Sequence, residues 1–106
     1  QGHASDAAKQ GFLFNSTAFS KDIKSITIVV KGLSKYDKPT VFGVYHGSSA
    51  HPTTDAIKGS YTKETGSTLN SFTFTYDFSS VSSKYFSIWN NAVGALYIEK
   101  IIITLK

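Results

Sequence analysis

One stretch of alternating residues constrains the fold more than any other part of the chain. Within residues 71–78 every second position is aromatic, and serine, threonine or aspartate stands between the rings. Successive side chains of a β-strand point to opposite faces, so the pattern predicts a strand with one aromatic face. Four aromatic rings in a row would form a large exposed patch unless they were covered. The segment therefore predicts a strand whose aromatic face lies in a core.

Further short apolar segments follow one another at intervals near ten residues. Because no helical period lasts long enough for βαβ units, this spacing is typical of an all-β fold, an antiparallel β-sandwich. In the segment 40–46, alternation places Val44 and His46 inward and Tyr45 outward. The other predicted strands are residues 11–14, 23–30 and 56–61, and two strands within the C-terminal run 85–106.

Two isoleucine-rich segments share an unusual spacing. Residues 23–28 and 98–103 both have isoleucine at the first, fourth and sixth positions. The first two isoleucines are three positions apart, which breaks strict alternation and predicts a β-bulge early in each strand. We expect these two strands to be neighbours in one sheet, so that the N- and C-terminal strands are adjacent.

Composition indicates one domain and excludes several kinds of site. A chain of 106 residues is long enough for one core, and we expect a single β-sandwich domain over residues 11–106. It has no cysteine and therefore neither disulfides nor thiolate metal sites. It also has no methionine, which suggests a processed product or a piece of a larger protein. Residues 1–10 resemble a tag remnant and a disordered lead-in.

The type and distribution of the basic residues do not favour nucleic-acid binding. The net charge is +4, but all eleven basic residues are lysine, and they are scattered along the sequence. Nucleic-acid readers use arginine for bidentate contacts with guanine and phosphate, so nucleic acid is an unfavoured partner. No apolar stretch approaches the roughly 20 residues of a membrane span.

Four segments together resemble a known group of domains. Residues 23–28, 44–52, 85–90 and 95–101 are similar to secreted bacterial galactose-binding-like modules, which are appended to extracellular enzymes. The likeness extends over nearly the whole chain from residue 11. It implies a jelly roll of about eight strands, a glycan-binding role, a secreted or cell-surface location and, in some members, a structural calcium ion. Its motifs are those of the fold, and they carry no binding residue over to this chain.

The candidate ligand site centres on the one tryptophan. Trp89 has the opposite parity from the apolar Phe86 and Ile88, so we expect it to point away from the core. Sugars are bound by stacking on an aromatic ring while amides and carboxylates bond their hydroxyls, and Trp89 is followed by Asn90 and Asn91. Tyr45 and Tyr85 face outward too and would extend the platform. The alternative is that Trp89 only covers a sheet edge and that the asparagines only form a turn.

The remaining polar residues do not form a recognisable catalytic or metal site. His46 and His51 lack a third ligand, which makes zinc binding unfavoured. Calcium held by backbone carbonyls and one carboxylate, Asp22 or Asp55, stays open, so no metal ligand is assigned. Nothing predicts the facing carboxylate pair of a glycosidase, and we expect no enzymatic activity.

Three functions are compatible with this sequence. The first is a non-catalytic carbohydrate-binding or surface-adhesion module that binds a polysaccharide or cell-surface glycan beside a catalytic domain in the same polypeptide. The second is a structural spacer or protein-interaction domain without a small ligand. The third and weakest is an accessory domain that helps a nuclease grip nucleic acid through lysine charge, with binding that falls steeply with salt.

Overall fold

The computed structural model describes residues 12–31, 43–66, 70–89 and 97–106, except the side chains of residues 12, 31, 89 and 97. The predicted lead-in, residues 1–10, lies outside this part. Eight strands occur within the described ranges: β1 (Phe12–Phe14), β2 (Ile23–Lys31), β3 (Gly43–Gly47), β4 (Asp55–Lys58), β5 (Ser60–Glu64), β6 (Ser71–Asp77), β7 (Tyr85–Trp89) and β8 (Tyr97–Leu105). These ranges contain no α-helix, and hence none that could cross a membrane.

The strands form two antiparallel sheets of four strands each, which is consistent with a β-sandwich. The first sheet has the order β1-β7-β3-β4 and the second the order β5-β6-β2-β8. The core contains eleven buried apolar residues from both sheets and the loop after β6. They are Ile23, Ile26, Ile28, Val30, Val44, Phe72, Phe74, Tyr76, Phe78, Phe86 and Ile88.

Strand β6 confirms the prediction made from its alternation. Phe72, Phe74 and Tyr76 are at most 1% exposed, whereas Thr75 and Asp77 are exposed on the opposite face. Across the sheet these rings lie opposite the buried aliphatic residues of β2. Burying each large ring contributes roughly 1.5–3 kcal/mol, so this layer is a major source of stability.

The predicted pairing of the two isoleucine-rich strands is also confirmed. β2 pairs antiparallel with β8, and the register shifts once between Ile23 and Ser25 and once between Val29 and Val30. The first shift leaves an extra residue early in β2 and the second an extra residue early in β8. The bulge in β2 lets Ile23 and Ile26 both enter the core, where each is 0% exposed. The expectation that the N- and C-terminal strands are adjacent holds for β2 and β8 but was wrong for β1, the first described strand, which lies in the other sheet beside β7.

The prediction of a single strand over residues 56–61 was wrong. The segment forms two strands, β4 in the first sheet and β5 in the second, and Gly59 is the residue between them. A strand that changes sheets needs a sharp bend at the sandwich corner. The position requires glycine, because a Cβ on Gly59 would lie 2.5 Å from Cε2 of Tyr76.

The loops at one end of the sandwich are tied together by main-chain hydrogen bonds. This end, here called the closed end, is formed by the segments 15–22, 48–54 and 78–84. The amide of Ile23 donates to the carbonyl of Ser83 at 2.8 Å, and the amide of Phe19 donates to the carbonyl of Lys84 at 3.1 Å. The amide of Lys106 donates to the carbonyl of Asp22 at 2.8 Å. These bonds join the β1–β2 connection to the β6–β7 connection and to the end of β8.

Candidate functional site

Two of the predicted ligand-binding residues share the outer face of the first sheet. Tyr45 on β3 lies opposite Ser87 on β7, and Tyr85 lies opposite Gly47, so the two tyrosines are diagonal neighbours on one face. Both side chains are half-buried. Their outward direction follows the alternation from which it was predicted, since Val44 and Phe86 on the same strands lie in the core. His46 points inward, as predicted, and its ring meets that of Phe78 edge-on at 6.2 Å.

The other predicted ligand-binding residues belong to the opposite end of β7. The backbone of Trp89 ends this strand and pairs with Phe12, whereas Tyr85 begins it at the closed end. The two positions are four steps apart along the strand, a distance of about 13 Å. The side chain of Trp89, together with Asn90 and Asn91, lies outside the described residues. The structure thus brings Tyr45 and Tyr85 together, and the site around Trp89 stays a prediction.

A loop crosses the outer face between these two ends. Ser87 points outward by alternation, yet it is 0% exposed, because Pro52 covers it. The hydroxyl of Ser87 donates to the carbonyl of Pro52. Pro52 is itself buried, and a Cβ on Gly47 would lie 3.0 Å from its Cβ. Residues 48–54 therefore form a strap over the first sheet, and the middle of the face is covered by chain.

His51 anchors the strap to the first strand. Its ring stacks on Phe14 with centroids 4.2 Å apart and planes 2° from parallel. Its backbone has φ of 54°, in the left-handed region that costs a non-glycine residue roughly 1–2 kcal/mol. Stacking on Phe14 and burial of Pro52 offset this cost. His51 thus has a structural position in the strap, away from the inward-facing His46.

Tyr85 forms one wall of an open cleft at the closed end. The cleft has a volume of about 480 Å³, within the range of small-ligand sites. Its walls come from the β1–β2 connection, the start of the strap and the segment before β7. They are lined by Ala18, Asp22, Gly47, Ser48, Ser82, Ser83, Lys84 and Tyr85.

An ion pair supplies the charge of this cleft. The Nζ atom of Lys84 lies 3.0 Å from Oδ1 of Asp22, and both side chains are partly exposed, 46% and 26% respectively. The hydrogen bond from Lys84 holds the pKa of Asp22 below its ordinary value, with smaller contributions from the charge of Lys106 and a hydrogen bond from Ser82. Asp22 is therefore a carboxylate throughout the physiological pH range.

A buried serine holds the floor of the cleft in place. Ser83 is 3% exposed. Its hydroxyl donates to the carbonyl of Tyr85 at 2.6 Å, and the carbonyl of Gly47 is a second acceptor 3.0 Å from the same hydroxyl. Its oxygen also accepts from the amides of Gly47 at 3.2 Å and Tyr85 at 3.3 Å. One side chain thus joins β3, β7 and the segment before β7.

Asn15 fastens the other wall. Its side-chain nitrogen donates to the carbonyls of Thr17 and Lys84, both at 2.9 Å. Its side-chain oxygen accepts from the amide of Phe86 at 2.9 Å. The β1–β2 connection, which contributes Asp22, is thereby fixed against the start of β7.

A metal centre is not apparent in the described part of the chain. The residues there contain no group of three or more histidine, aspartate or glutamate side chains that could hold an ion. Of the two carboxylates considered for calcium, Asp22 is paired with Lys84, and Asp55 is exposed at the start of β4.

The cleft gathers residues that sequence reasoning did not group. Asp22 and Lys84 are 62 positions apart, and Lys84 is one of many scattered lysines. Their meeting depends on the two sheets packing together and on the closed-end hydrogen bonds. No local sequence signal marks such a pair.

Comparison with known proteins gives no family for this chain. No family model matches it, and neither the curated proteins nor the solved structures contain a significant match. The resemblance to galactose-binding-like modules therefore stays a prediction. What can be argued about function comes from the geometry of the cleft and the outer face.

Proposed function

We propose that this chain is a non-catalytic carbohydrate-binding or surface-adhesion module with a jelly-roll, galactose-binding-like sandwich, and that the closed-end cleft binds the glycan. One observation carries the proposal: half-buried Tyr85 lines an open cleft together with a carboxylate, an ammonium and serine residues. Saccharide sites combine an aromatic ring for the apolar sugar face with polar groups for the hydroxyls.

Each side chain of the cleft has a role in this proposal. The ring of Tyr85 stacks on the apolar face of a pyranose, and its partial burial keeps the ring in place. The Asp22 carboxylate accepts hydrogen bonds from sugar hydroxyls, and Lys84 and Ser82 donate to sugar oxygens. Ser83 and Asn15 hold these groups in position before a ligand arrives, which lowers the entropic cost of binding.

Binding rather than hydrolysis is the activity that this cleft favours. Among the described residues that line it, Asp22 is the single carboxylate, whereas glycoside hydrolysis uses two that face each other across the scissile bond. The module would therefore act beside a catalytic domain in the same polypeptide, in a secreted or cell-surface protein. Its partner would be a polysaccharide or a cell-surface glycan.

The residues predicted from sequence extend the same surface in this proposal. Tyr45 lies beside Tyr85 on the outer face, and Trp89, with Asn90 and Asn91, would form a second contact near the far end of β7. A glycan of several units that passed over the strap would be long enough to reach both ends of β7, which are about 13 Å apart.

Titration with polysaccharides tests the proposal. Tryptophan fluorescence and calorimetry would be measured against a panel of soluble polysaccharides for the wild type and for Tyr85→Ala. Tyr61→Ala is the matched control, since Tyr61 lies on β5 in the other sheet and is 37% exposed. We expect binding that Tyr85→Ala weakens at least about tenfold, the loss of one good stacking contact, and that Tyr61→Ala leaves unchanged. Failure of every polysaccharide to bind, or full affinity in Tyr85→Ala, would overturn the proposal.

A second candidate, a spacer or protein-interaction domain, is favoured by exposed residues on the outermost strands of the described second sheet. All five residues of β5 are exposed, and on β8 Ile98 and Ile102 are 38% and 44% exposed. Such edges can pair with another chain. Under this alternative, the wild-type domain would recover a protein partner in a pull-down, and the Ile102→Lys variant would not. Recovery that Ile102→Lys leaves intact would contradict it.

A further inference from the structure

The two charged side chains among the described residues that line the closed-end cleft form an ion pair. Asp22 and Lys84 are the carboxylate and the ammonium in its lining, and they are hydrogen-bonded at 3.0 Å. Lys106, whose charge also acts on Asp22, donates its ammonium to the carbonyl of Val81 at 2.8 Å. Within the described lining the ammonium of Lys84 is thus already paired with a carboxylate, and the ammonium of Lys106 is directed at a main-chain carbonyl outside that lining.

We propose that the cleft selects neutral saccharides, whose adjacent hydroxyls bridge Asp22 and Lys84, and that it discriminates against uronates and other anionic sugars. This inference rests on the proposed function and specifies its ligand class. A hydroxyl both donates and accepts, so one hydroxyl can donate to the Asp22 carboxylate while a neighbouring oxygen accepts from Lys84. A sugar carboxylate has no proton to donate at neutral pH, and it would be repelled by Asp22 at contact distance.

The ion pair has bonding capacity for such a ligand. A carboxylate offers about four acceptor positions and an ammonium three donors, so the bond between Asp22 and Lys84 uses a minority of them. The hydrogen bonds that lower the pKa of Asp22 also keep it ionised as a fixed acceptor. An anionic sugar that accepted from a remaining donor of Lys84 would place its carboxylate beside that of Asp22, where the two negative charges repel each other.

The backbone around the ion pair fixes the place at which a neutral saccharide would bind. Asp22 and Lys84 project from two connections that main-chain bonds join, so their separation is set by the backbone. Tyr85, which directly follows Lys84, offers a ring beside the pair. Stacking on that ring orients the sugar, and Asp22 and Lys84 then form hydrogen bonds with its hydroxyls.

Matched sugars that differ in one group provide the test. Amide chemical shifts of the ¹⁵N-labelled protein would be followed on titration with methyl glycosides of glucose, galactose and mannose, and with the corresponding methyl uronides. We expect at least one neutral glycoside to shift the amides of Ser48, Ser82 and Lys84. Its uronide should bind at least about tenfold more weakly, the cost of about one charge-assisted hydrogen bond. Affinity for the neutral glycoside should hardly change with salt, because no net charge is exchanged.

Variants of the pair separate recognition from folding. Asp22→Asn keeps the side-chain shape and the main-chain bond from Lys106, and Lys84→Gln keeps a donor without the charge. Each should weaken binding of the neutral glycoside at least about fivefold, because charged partners make the stronger hydrogen bonds. The controls Glu64→Gln and Lys58→Gln, on β5 and β4 away from the cleft, should bind as the wild type does. Circular dichroism confirms that each variant is folded.

The outcomes distinguish this inference from the function on which it rests. A uronide that binds as tightly as its neutral partner, or neutral binding that neither pair variant weakens, overturns the inference and leaves saccharide binding intact. Absence of a shift with every glycoside, uronide and polysaccharide overturns the proposed function itself.

Discussion

Replacement of Gly59 by alanine should strongly destabilise the sandwich. Gly59 is the residue at which the chain leaves β4 in the first sheet and enters β5 in the second. A Cβ at this position would lie 2.5 Å from Cε2, 2.6 Å from Cζ and 2.9 Å from Cδ2 of Tyr76. Carbon atoms pack at about 3.5–4.0 Å, so the new methyl group overlaps the ring by about 1 Å.

Relief of the overlap costs free energy, because the ring of Tyr76 is packed within the core. Tyr76 is 0% exposed and packs in the core beside Phe74, with ring centroids 6.4 Å apart. Relief requires either displacement of this ring or a shift of the backbone at the corner between the sheets. Overpacking of this kind costs about 1–3 kcal/mol, and a clash with several ring atoms belongs at the upper end. For a domain of this size, about 3 kcal/mol lowers the melting temperature by roughly 10–20 °C.

A double-mutant cycle measured by urea unfolding would check the cause. Tyr76→Phe retains all three clashing ring carbons, so Gly59→Ala should cost the same in that background. Tyr76→Leu removes the ring, so much of the cost of Gly59→Ala should disappear there. Ser60→Ala, at the adjacent exposed position, should change stability by less than about 0.5 kcal/mol. A Gly59→Ala variant as stable as the wild type, or an equal loss in the Tyr76→Leu background, would refute the role assigned to the ring.

Further predictions concern the closed end and the titrating residues, each measured by urea unfolding. Ser83→Ala should cost about 1–3 kcal/mol, because buried main-chain groups of two strands lose their partner. Asn15→Ala should cost about 2 kcal/mol, and Asn15→Asp at least as much, since aspartate keeps the acceptor for the amide of Phe86 but places a carboxylate oxygen against the carbonyls of Thr17 and Lys84. A smaller loss in Asn15→Asp than in Asn15→Ala would contradict this. Burial raises the pKa of Tyr76 in the folded state. Its contribution to the free energy of unfolding is therefore complete below pH 10 and declines above pH 10 by about 1.4 kcal/mol per pH unit. Tyr76→Phe should lack this decline. Hydrogen bonds from Ser79 lower the pKa of Asp77, so its contribution is complete above about pH 4 and is lost as the pH falls further; Asp77→Asn should flatten that acid dependence.

Features with a local cause could be predicted from the sequence. The burial of β6 follows from alternation alone, because four rings on one face must be covered. The spacing of Ile23 and Ile26 required a bulge, since both side chains can enter the core only if one residue between them is extra. The shared spacing in residues 98–103 then indicated which strand would lie beside β2.

Features that depend on how the sheets meet could not be predicted. Residues 56–61 have the composition of one short strand, and nothing local shows that Gly59 divides it between two sheets. The close approach to Tyr76 that makes glycine necessary there joins positions far apart in the sequence. In the same way, the residues of β1 are compatible with pairing in either sheet.

The candidate site shows the limit of alternation as evidence for exposure. Alternation assigned Tyr85, Ser87 and Trp89 to the outer face, and a residue on an outer face is expected to be exposed. Ser87 is 0% exposed nevertheless, because Pro52 in the strap covers it. The period of a strand specifies the direction of a side chain, whereas its exposure depends on which loop crosses the strand.

The closed end joins stability to the proposed binding. Ser83 and Asn15 bond to main-chain groups on both sides of the ion pair, so the separation of Asp22 and Lys84 is set by residues that need not touch a ligand. A site arranged in this way pays the entropy of ordering its loops during folding instead of during binding. The affinity for a saccharide should then depend on these hydrogen bonds to main-chain groups, even where a substitution leaves every lining side chain in place. Loss of the Asn15 side-chain amide, which is not in the lining of the cleft, should therefore weaken saccharide binding as well as stability, and the affinity should fall even under conditions in which the variant is fully folded.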